Sequence, residues 1–510
     1  MDHLLQLPPE LLLRISDHLT TTELGHLRQT CKHVESTLFD TFAKEFFTKR
    51  QFMLEKVSLQ ALIDIANHPT LSLWLTEVII GADALRDEVS GSDPWPTPKY
   101  RPGDISRDML LQTGIASDML VEAFSKLPNL RTIGLRDYYA ASKGSGRERD
   151  GPNAVWRSYG WTTHGNPGSS ADPFRVNGHL THQTTTWESP EYIFPVILHA
   201  LAKAELRPEN VDVFLRKRIK LTPNSFNVFD PRTTTLLVPV LAGIRRLMLS
   251  LSVPHRFGAV AVGSSTEATL NIPLKRFLSC TPGVQCLRLN FTEHQRFADR
   301  FLEWFGLPRQ SSTIASTLDE CDIPPIELNR LTELDLGMVP IKASTLVKVI
   351  AKFRLKSLNL WKMQLMGNDD VALKKHDNYW SRVFTALAGD LAATTQLQSV
   401  MVGFPSQLRR DSQQDERIEF VSDGDRDNRQ TENLLNMVSY RSTFGSSVTD
   451  WLREMAAKAV RQQLPMPVSD FEDEDEMDDS DISIGEPEDY YDYLENDESD
   501  DYGVFEEEAE

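Results

Sequence analysis

One apolar spacing recurs seven times along this chain and limits the folds that are open to it. Apolar residues stand at the first, fourth and sixth positions of a short segment, and a helical pattern precedes most of these segments. A helix followed by a short strand, repeated, predicts an α/β architecture in which each strand buries one face against its own helix. The seven segments begin at Leu75, Leu130, Ile244, Val284, Leu331, Leu355 and Leu397.

This alternation resembles an irregular, degenerate leucine-rich repeat. Three units also carry a further apolar residue where such a repeat requires one, at Leu85, Ile341 and Leu365. The resemblance implies a solenoid whose strands form a curved sheet, with an extended surface suited to protein recognition. No unit has Asn or Cys at its ninth position, and only the 24 residues between Leu331 and Leu355 match the usual repeat length. A non-repetitive α/β or α+β domain is therefore the alternative.

The first 48 residues carry the spacing of two or three short helices instead. Leu11, Ile15 and Leu19 fall four residues apart, so they share one helical face, and Pro8 stands where a helix can begin. A unit of this size is too small to bury all of its apolar surface internally. The remainder must be covered by the rest of the chain or by another protein.

A second helix in this segment is predicted to begin near Thr21. Thr20 and Glu23 have the spacing of a capping box, which favours a helix start at that point. Four apolar residues then follow on one face, namely Leu24, Leu27, Cys31 and Val34.

These N-terminal residues resemble the F-box over about 40 of 510 residues. The candidates for the aromatic residue found late in that motif are Phe39, Phe42 and Phe46. The resemblance implies a small all-α domain that binds a Skp-type adaptor and, through it, the cullin scaffold of an SCF ubiquitin ligase. It assigns adaptor binding to ten residues: Leu7, Pro8, Glu10, Leu11, Ile15, Leu19, Leu24, Leu27, Cys31 and Val34.

Negative charge is concentrated at the carboxyl terminus. Residues 469–510 contain 22 Asp or Glu and neither Lys nor Arg, so removing them from the net charge of −20 leaves +2 on residues 1–468. We expect this acidic tail to be disordered, because it has too few apolar residues to offset its chain entropy. An acidic transcriptional regulator is one hypothesis for such a chain, but no nucleic-acid-reading motif accompanies the tail.

Motifs of catalysis are missing from the sequence. It contains no phosphate-binding glycine loop, no H-E-x-x-H and no G-x-S-x-G, so we expect neither enzymatic chemistry nor a cofactor. Its four cysteines, Cys31, Cys280, Cys286 and Cys321, form no C-x-x-C pair. This argues against a zinc site and favours a reducing cytoplasmic or nuclear compartment. We predict neither a secretory signal nor a membrane span.

The sequence predicts seven consecutive regions. The polar insertion among them carries Trp156, Tyr159, Trp161 and Trp187, which suggests that part of it packs on the body. The regions are an F-box at 1–48, first repeat-like units at 49–137, a polar and partly disordered insertion at 138–190, a repeat-like α/β body at 191–405, a loop at 406–430, a C-terminal helical segment at 431–465, and an acidic disordered tail at 466–510.

The sequence therefore favours a non-catalytic substrate-receptor subunit of a cullin-type ubiquitin ligase. The F-box would bind the adaptor, and the repeat-like body would hold an unknown protein target. The alternative is a structural or scaffold protein whose N-terminal helices cap its own core. Nucleic acid and membrane are not expected partners.

Overall fold

The structure is a computed structural model, and the chain divides into two units. The described part of the first unit ends at Phe46, and that of the second runs from Phe47 to residue 463. Predictions for Leu85, Cys321, most of the polar insertion and the acidic tail lie outside the described residues. The structure describes residues 7–19, 21–82, 109–137, 158–159, 190–215, 220–252, 271–292, 295–308, 323–367, 378–389, 396–408, 415–421, 434–442 and 447–463.

Three helices form the described part of the first unit: α1 Pro9–Ser16, α2 Thr21–Arg28 and α3 Lys32–Phe47. Pro8 caps α1 and Pro9 occupies its first turn, where the fixed φ of proline and its missing N–H cost the helix nothing. Helix α2 begins at Thr21, as its capping-box spacing predicts. The helical character of this region is confirmed.

The second unit alternates helices with strands. Its helices are α4 Lys56–Asn67, α5 Leu71–Trp74, α6 Ile115–Phe124, α7 Pro190–Lys203, α8 Pro231–Ala242, α9 Ile272–Ser279, α10 Gln295–Gly306, α11 Ala343–Lys352, α12 Tyr379–Ala388 and α13 Val448–Lys458. Its strands are β1 Lys49–Met53, β2 Glu77–Gly81, β3 Thr132–Arg136, β4 Asn210–Phe214, β5 Arg246–Ser252, β6 Cys286–Thr292, β7 Glu333–Gly337, β8 Pro340–Lys342, β9 Ser357–Trp361, β10 Gln364–Met366, β11 Ser399–Gly403, β12 Ser406–Leu408, β13 Asp415–Val421, β14 Leu434–Leu435, β15 Met437–Arg441 and β16 Ala459–Gln463.

Ten of these strands form one sheet in the order β1-β2-β3-β4-β5-β6-β7-β9-β11-β15. Neighbouring strands in this sheet are parallel except β15, which runs antiparallel to β11. A second sheet has the order β14-β13-β12-β10-β8, and β16 also pairs with β13. The protein is therefore a mixed α/β protein, as the sequence predicts.

The recurring spacing sets the register of the large sheet. Its fourth position forms one row across the strands, in which Leu287 lies opposite Leu334 and Leu334 lies opposite Leu358. These side chains are buried and join one core with the apolar faces of the helices. All seven predicted segments contain a strand, and their alternation of buried residues follows from the two-residue period of a strand.

Strand β4 and helix α10 are not predicted from the sequence. In β4, Val211 lies opposite Ile133, but Pro208 stands where the pattern expects Leu, so the segment does not match. Helix α10 has a readable signal, since Ala298, Phe301 and Phe305 are buried at helical spacing.

The predicted loop at 406–430 is wrong where the structure describes it, because β12 and β13 lie there and pair with each other. Where the structure describes it, at 434–442 and 447–463, the predicted helical segment at 431–465 contains one helix. That helix ends at Lys458, and β16 follows it at once because its backbone pairs with β13. Helix α3 ends at Phe47, because residues 49–53 pair with β2. In each case strand pairing overrides the local pattern.

Part of the polar insertion packs on the second unit, as its aromatic residues predict. The Tyr159 amide donates a hydrogen bond to the Gln51 carbonyl at 2.9 Å, and Gln51 Nε2 donates to Ser158 Oγ at 2.9 Å. The insertion therefore returns to the outer edge of β1. Within the described segments, no helix is both long enough and apolar enough to cross a membrane.

Candidate protein-interaction sites

Helix α1 presents two adjacent stripes of side chains, and only one of them is buried. Leu12 and Ser16 lie four residues apart and are both fully buried, while Leu11 and Ile15 are 45% and 40% exposed. The hydroxyl of Ser16 donates to the Leu13 carbonyl at 2.7 Å, so this buried polar group is satisfied. The helix therefore leaves a pair of aliphatic side chains open on one face.

An aromatic residue in α3 helps to hold α2. The guanidinium of Arg28 lies 3.4 Å from the centroid of the Phe42 ring and 4.0 Å from Glu35. Burial lowers the pKa of Arg28, and Glu35 opposes that shift. Phe42 also packs on Phe46, with 4.7 Å between ring centroids. Of the three candidates for the late aromatic residue, Phe42 is the one beneath Arg28.

The ten residues assigned to adaptor binding divide into three groups by exposure. Exposed residues are Pro8, Glu10, Leu11 and Ile15. Partly buried residues are Leu7, Leu19, Leu27 and Cys31. Leu24 and Val34 are 1% and 0% exposed, so the assignment of these two is corrected. Side chains without accessible surface cannot touch a partner, and they stabilise the packing of the helices instead.

The large sheet has a second face, formed by the side chains that alternate with the core rows, and it carries paired charges. Arg246 Nη2 lies 2.8 Å from Asp212 Oδ2, and Lys49 Nζ lies 3.3 Å from Glu77 Oε1. Burial raises the pKa of Asp212, and the neighbouring Arg246 acts in the opposite direction. Each of these pairs joins side chains of adjacent strands.

A tighter network lies further along this face. Arg288 donates from Nε and Nη2 to Asp335 Oδ2 at 3.0 and 2.9 Å, and Asn359 Nδ2 donates to Asp335 Oδ1 at 2.7 Å. Both carboxylate oxygens of Asp335 are therefore satisfied by side chains from neighbouring strands. Such a network fixes side-chain positions and gives the face a defined shape.

No catalytic arrangement emerges from the titratable groups that the structure describes. Burial raises the pKa of Cys286, and the nearby Asp335 and Glu333 raise it further, so this thiol is held in its unreactive protonated form. The described residues also contain no cluster of three or more His, Cys, Asp or Glu side chains that could hold a metal ion.

Two aromatic side chains meet where β9 and β11 end, and Met437 of the terminal strand β15 stands at the next register position. The rings of Trp361 and Phe404 meet edge to face at 5.0 Å between centroids. A Cβ placed on Gly403 would lie 2.3 Å from two atoms of the Trp361 ring, so this ring rests against the Gly403 backbone. Met437 lies opposite Gly403. We call Trp361, Phe404 and Met437 the aromatic corner.

Comparisons with known proteins identify the N-terminal unit. A family model of the F-box-like domain matches residues 4–43, so the chain contains an F-box-like domain and the resemblance read from its residues is confirmed. No curated protein matches the chain. Among solved structures, the chain is similar to one described as the crystal structure of the Rad7 and Elc1 complex in yeast, at 11% identity and a TM-score of 0.21, covering 76% of this chain and 86% of that one.

Proposed function

We propose that this protein is a substrate-receptor subunit of a cullin-type ubiquitin ligase. In this proposal the F-box-like domain binds a Skp-type adaptor that is held by a cullin scaffold, and the α/β body binds a protein target. The single observation that carries the proposal is the exposure of Leu11 and Ile15 on α1, inside the segment that matches the F-box-like model. The proposal includes a cytoplasmic or nuclear location, which the absence of paired cysteines favours.

The open stripe of α1 suits a protein partner on energetic grounds. Complete burial of one Leu or Ile side chain stabilises an interface by about 1.5–3 kcal/mol, so covering the exposed halves of Leu11 and Ile15 contributes roughly 2 kcal/mol together. That is less than a stable complex needs, because association itself carries a cost. Partly buried residues near this stripe, such as Leu7 and Leu19, would supply additional contact area.

The proposed role requires no bond chemistry from this chain. A receptor brings a target lysine close to a ubiquitin-charged enzyme and so raises its effective concentration. The protonated Cys286 and the mutually paired Arg288 and Asp335 are consistent with a binding role for the body. Asp212, Arg288 and Asp335 of the second face are buried, so we place target binding on its partly exposed side chains, such as Lys49, Glu77 and Asn359.

Co-purification of the full chain with a purified Skp-type adaptor tests the proposal. We expect Leu11→Asp and Ile15→Asp each to lower adaptor recovery about tenfold or more, because each places a charge where the interface must be dry. Leu73→Asp is the matched control, since Leu73 is 50% exposed in the second unit and its substitution should leave recovery unchanged. Circular dichroism verifies that all three variants remain folded.

Recovery that is equal for wild-type protein and for both α1 variants would reject adaptor binding through this stripe.

The alternative, a scaffold protein whose N-terminal helices cap its own core, makes a separate prediction. In that case deletion of residues 1–45 would abolish the cooperative thermal transition of the α/β body. A receptor would keep that transition, because its N-terminal helices serve the partner.

A further inference from the structure

We propose that residues 160–189 of this chain dock on the second face of the large sheet, over the carboxyl-terminal halves of β1, β2 and β3. In this arrangement an aromatic side chain of the segment covers Met53 and Ile79, and a polar group of the segment donates a hydrogen bond to Gln51 Oε1. The inference goes beyond the proposed function, because it requires neither the adaptor nor a target.

Two apolar side chains of this face are buried away from the core of the body. Met53 and Ile79 are 0% and 1% exposed, but neither belongs to the hydrophobic core that contains their strand neighbours Phe52, Val78 and Ile80. Successive side chains of a strand point to opposite faces, so Met53 and Ile79 lie on the second face. Helices α4 to α13 all contribute side chains to the core. A part of the chain other than these helices must therefore cover Met53 and Ile79.

A buried acceptor lies beside these two residues. Gln51 is 2% exposed and lies opposite Ile79 on the neighbouring strand. Its Nε2 donates to Ser158 Oγ at 2.9 Å, but its Oε1 accepts no hydrogen bond from any residue that the structure describes. A buried acceptor without a donor is costly, so this oxygen indicates a covering group that brings an N–H or an O–H.

The strands around this patch leave room for a large side chain. Met53 lies opposite Gly81, and Ile79 lies between Gln51 and Gly134 in the register of the sheet. Neither glycine has a side chain that would stand between the sheet and an incoming ring. An aromatic side chain laid over Met53 and Ile79 would exclude water from both.

The chain enters and leaves this region at positions that suit the docking. Tyr159 lies opposite Phe52, near the carboxyl end of β1, and its amide donates to the Gln51 carbonyl. Pro190 begins α7, the helix that precedes β4. Strands β1 and β4 are three strand spacings apart, which is roughly 15 Å. The 30 residues between Tyr159 and Pro190 span up to about 100 Å when extended, so the segment is long enough to cross the face and return.

Composition favours this segment over the one that follows β2. Residues 160–189 contain three charged side chains among 30 and many hydroxyl and amide donors, whereas residues 83–108 contain ten charged side chains among 26. Burying a charge without a partner is costly, so the segment that is poor in charge is the better cover. The aromatic side chains that it offers are Trp161, Phe174 and Trp187.

The docked segment would limit the surface that a target can reach. Lys49 and Glu77 begin β1 and β2, so they would remain accessible beside the segment. A target held by the second face in the proposed function would then contact the amino ends of these strands and the strands beyond β3.

Thiol labelling tests the inference on the full-length protein. Ile79→Cys places a thiol under the proposed cover, and its reaction with iodoacetamide is followed by mass spectrometry. Replacement of residues 162–187 by a Gly-Ser linker of equal length should raise the labelling rate about tenfold or more, because thiol modification follows exposure. Ser439→Cys is the matched control, since Ser439 is exposed on the same face in β15 and its labelling should not respond to the linker.

Single substitutions keep the test decisive if circular dichroism shows that the linker variant is unfolded. Trp161→Ser, Phe174→Ser and Trp187→Ser are each combined with Ile79→Cys, and at least one of them should raise labelling about threefold or more. Met53→Cys is the second reporter if Ile79→Cys itself does not fold.

The inference is overturned if labelling stays slow in a folded linker variant, or if none of the aromatic substitutions raises it. A rise that appears instead when residues 84–107 are replaced by a linker of equal length would assign the cover to the segment after β2, and it also overturns the inference. Adaptor recovery from the same preparations bears only on the proposed function, because Leu11 and Ile15 are unchanged in every variant.

Discussion

Helix α1 of the N-terminal unit and helix α12 of the α/β body place their apolar side chains differently. Helix α12 buries six of its ten residues, including Trp380 and Phe384. Helix α1 buries two of its eight, Leu12 and Ser16, and leaves Leu11 and Ile15 exposed. Both sequences are strongly amphipathic, so the pattern predicts a helix in each case. The difference shows that an apolar stripe read from sequence does not distinguish a face that stabilises the fold from one that awaits a partner.

The largest loss of stability should come from a substitution in α12, because most of its side chains are buried. Trp380 is fully buried, and its Nε1 donates to the Ser406 carbonyl at 2.8 Å. We expect Trp380→Ala to lower the free energy of unfolding of the body by about 3–5 kcal/mol, because it creates a cavity and leaves that carbonyl without its donor. Urea unfolding followed by circular dichroism measures the change.

A control for this substitution is Leu236→Ala, which truncates a side chain that is 41% exposed on α8. It should change the stability by less than about 0.5 kcal/mol. Equal effects of the two substitutions would mean that the interior around α12 is not the main source of stability in the body.

The second prediction separates the two stripes of α1. Leu12→Ala should destabilise the N-terminal helices by about 2–4 kcal/mol, because a fully buried leucine is truncated. Leu11→Ala should cost less than about 1 kcal/mol, since almost half of that side chain is already in contact with water. Hydrogen exchange of the amides in α1, α2 and α3 reports both values. Similar losses of protection for the two variants would show that the two stripes of α1 contribute equally to stability, contrary to the prediction.

The sequence predicts the helices of the N-terminal unit but does not identify the stripe of α1 that is buried. The four-residue spacing of Leu11, Ile15 and Leu19 selected one stripe of α1. The buried stripe pairs Leu12 with Ser16, and a polar residue at its second position hides it from any search for apolar periodicity. Apolar periodicity therefore identifies the exposed stripe of α1 and does not identify the buried one.

In the body, the large sheet could be predicted because its strands share one spacing and one register. Leu334, Leu358 and Val400 all stand at the fourth position of their segments and lie side by side. The smaller sheet could not be predicted in this way. Strand β13 is stabilised by antiparallel pairing with β12 on one side and with β16, about 40 residues further along the chain, on the other, and that pairing leaves no periodic trace in the three segments.

The third prediction concerns the aromatic corner, where the body, like α1, exposes apolar side chains, among them Phe404 and Met437. Gly403→Ala should destabilise the body by about 1–3 kcal/mol, because its Cβ would overlap the Trp361 ring at 2.3 Å. Gly134→Ala is the milder comparison, since its Cβ would lie 3.1 Å from a side-chain carbon of Ile79 and far from the overlap found at Gly403. Intrinsic tryptophan fluorescence should change for Gly403→Ala and remain constant for Gly134→Ala. An unchanged spectrum would show that Trp361 can leave the corner freely.

The smallest expected effect is a dependence of stability on pH that the body should show and the N-terminal helices should not. Each has a cation beside aromatic rings: Arg28 lies over Phe42, and Lys352 lies 5.9 Å from the Phe305 ring centroid and 5.3 Å from that of Phe353. Burial lowers the pKa of Lys352 from 10.5 to about 8, with Glu327 opposing the shift, and Lys352 Nζ donates to the Phe305 carbonyl at 2.7 Å. An arginine guanidinium keeps its charge throughout this range of pH.

The sign of the effect follows from proton linkage. Between about pH 8 and pH 10.5 the unfolded chain holds the Lys352 proton more firmly than the folded chain does, so the stability of the body should rise with pH across this window. Below about pH 8 both states are protonated, and this group adds no slope. The rise should stay below about 1 kcal/mol, because the side chain is partly exposed and solvent screens it.

Lys352→Met should remove the rise, as measured by urea midpoints on both sides of the window. In the same pH window, hydrogen-exchange protection of the N-terminal helices, corrected for intrinsic rates, should be equal for the wild type and for Lys352→Met. If the wild-type and Lys352→Met midpoints change in parallel, the ammonium group is as well hydrated in the folded body as in the unfolded chain.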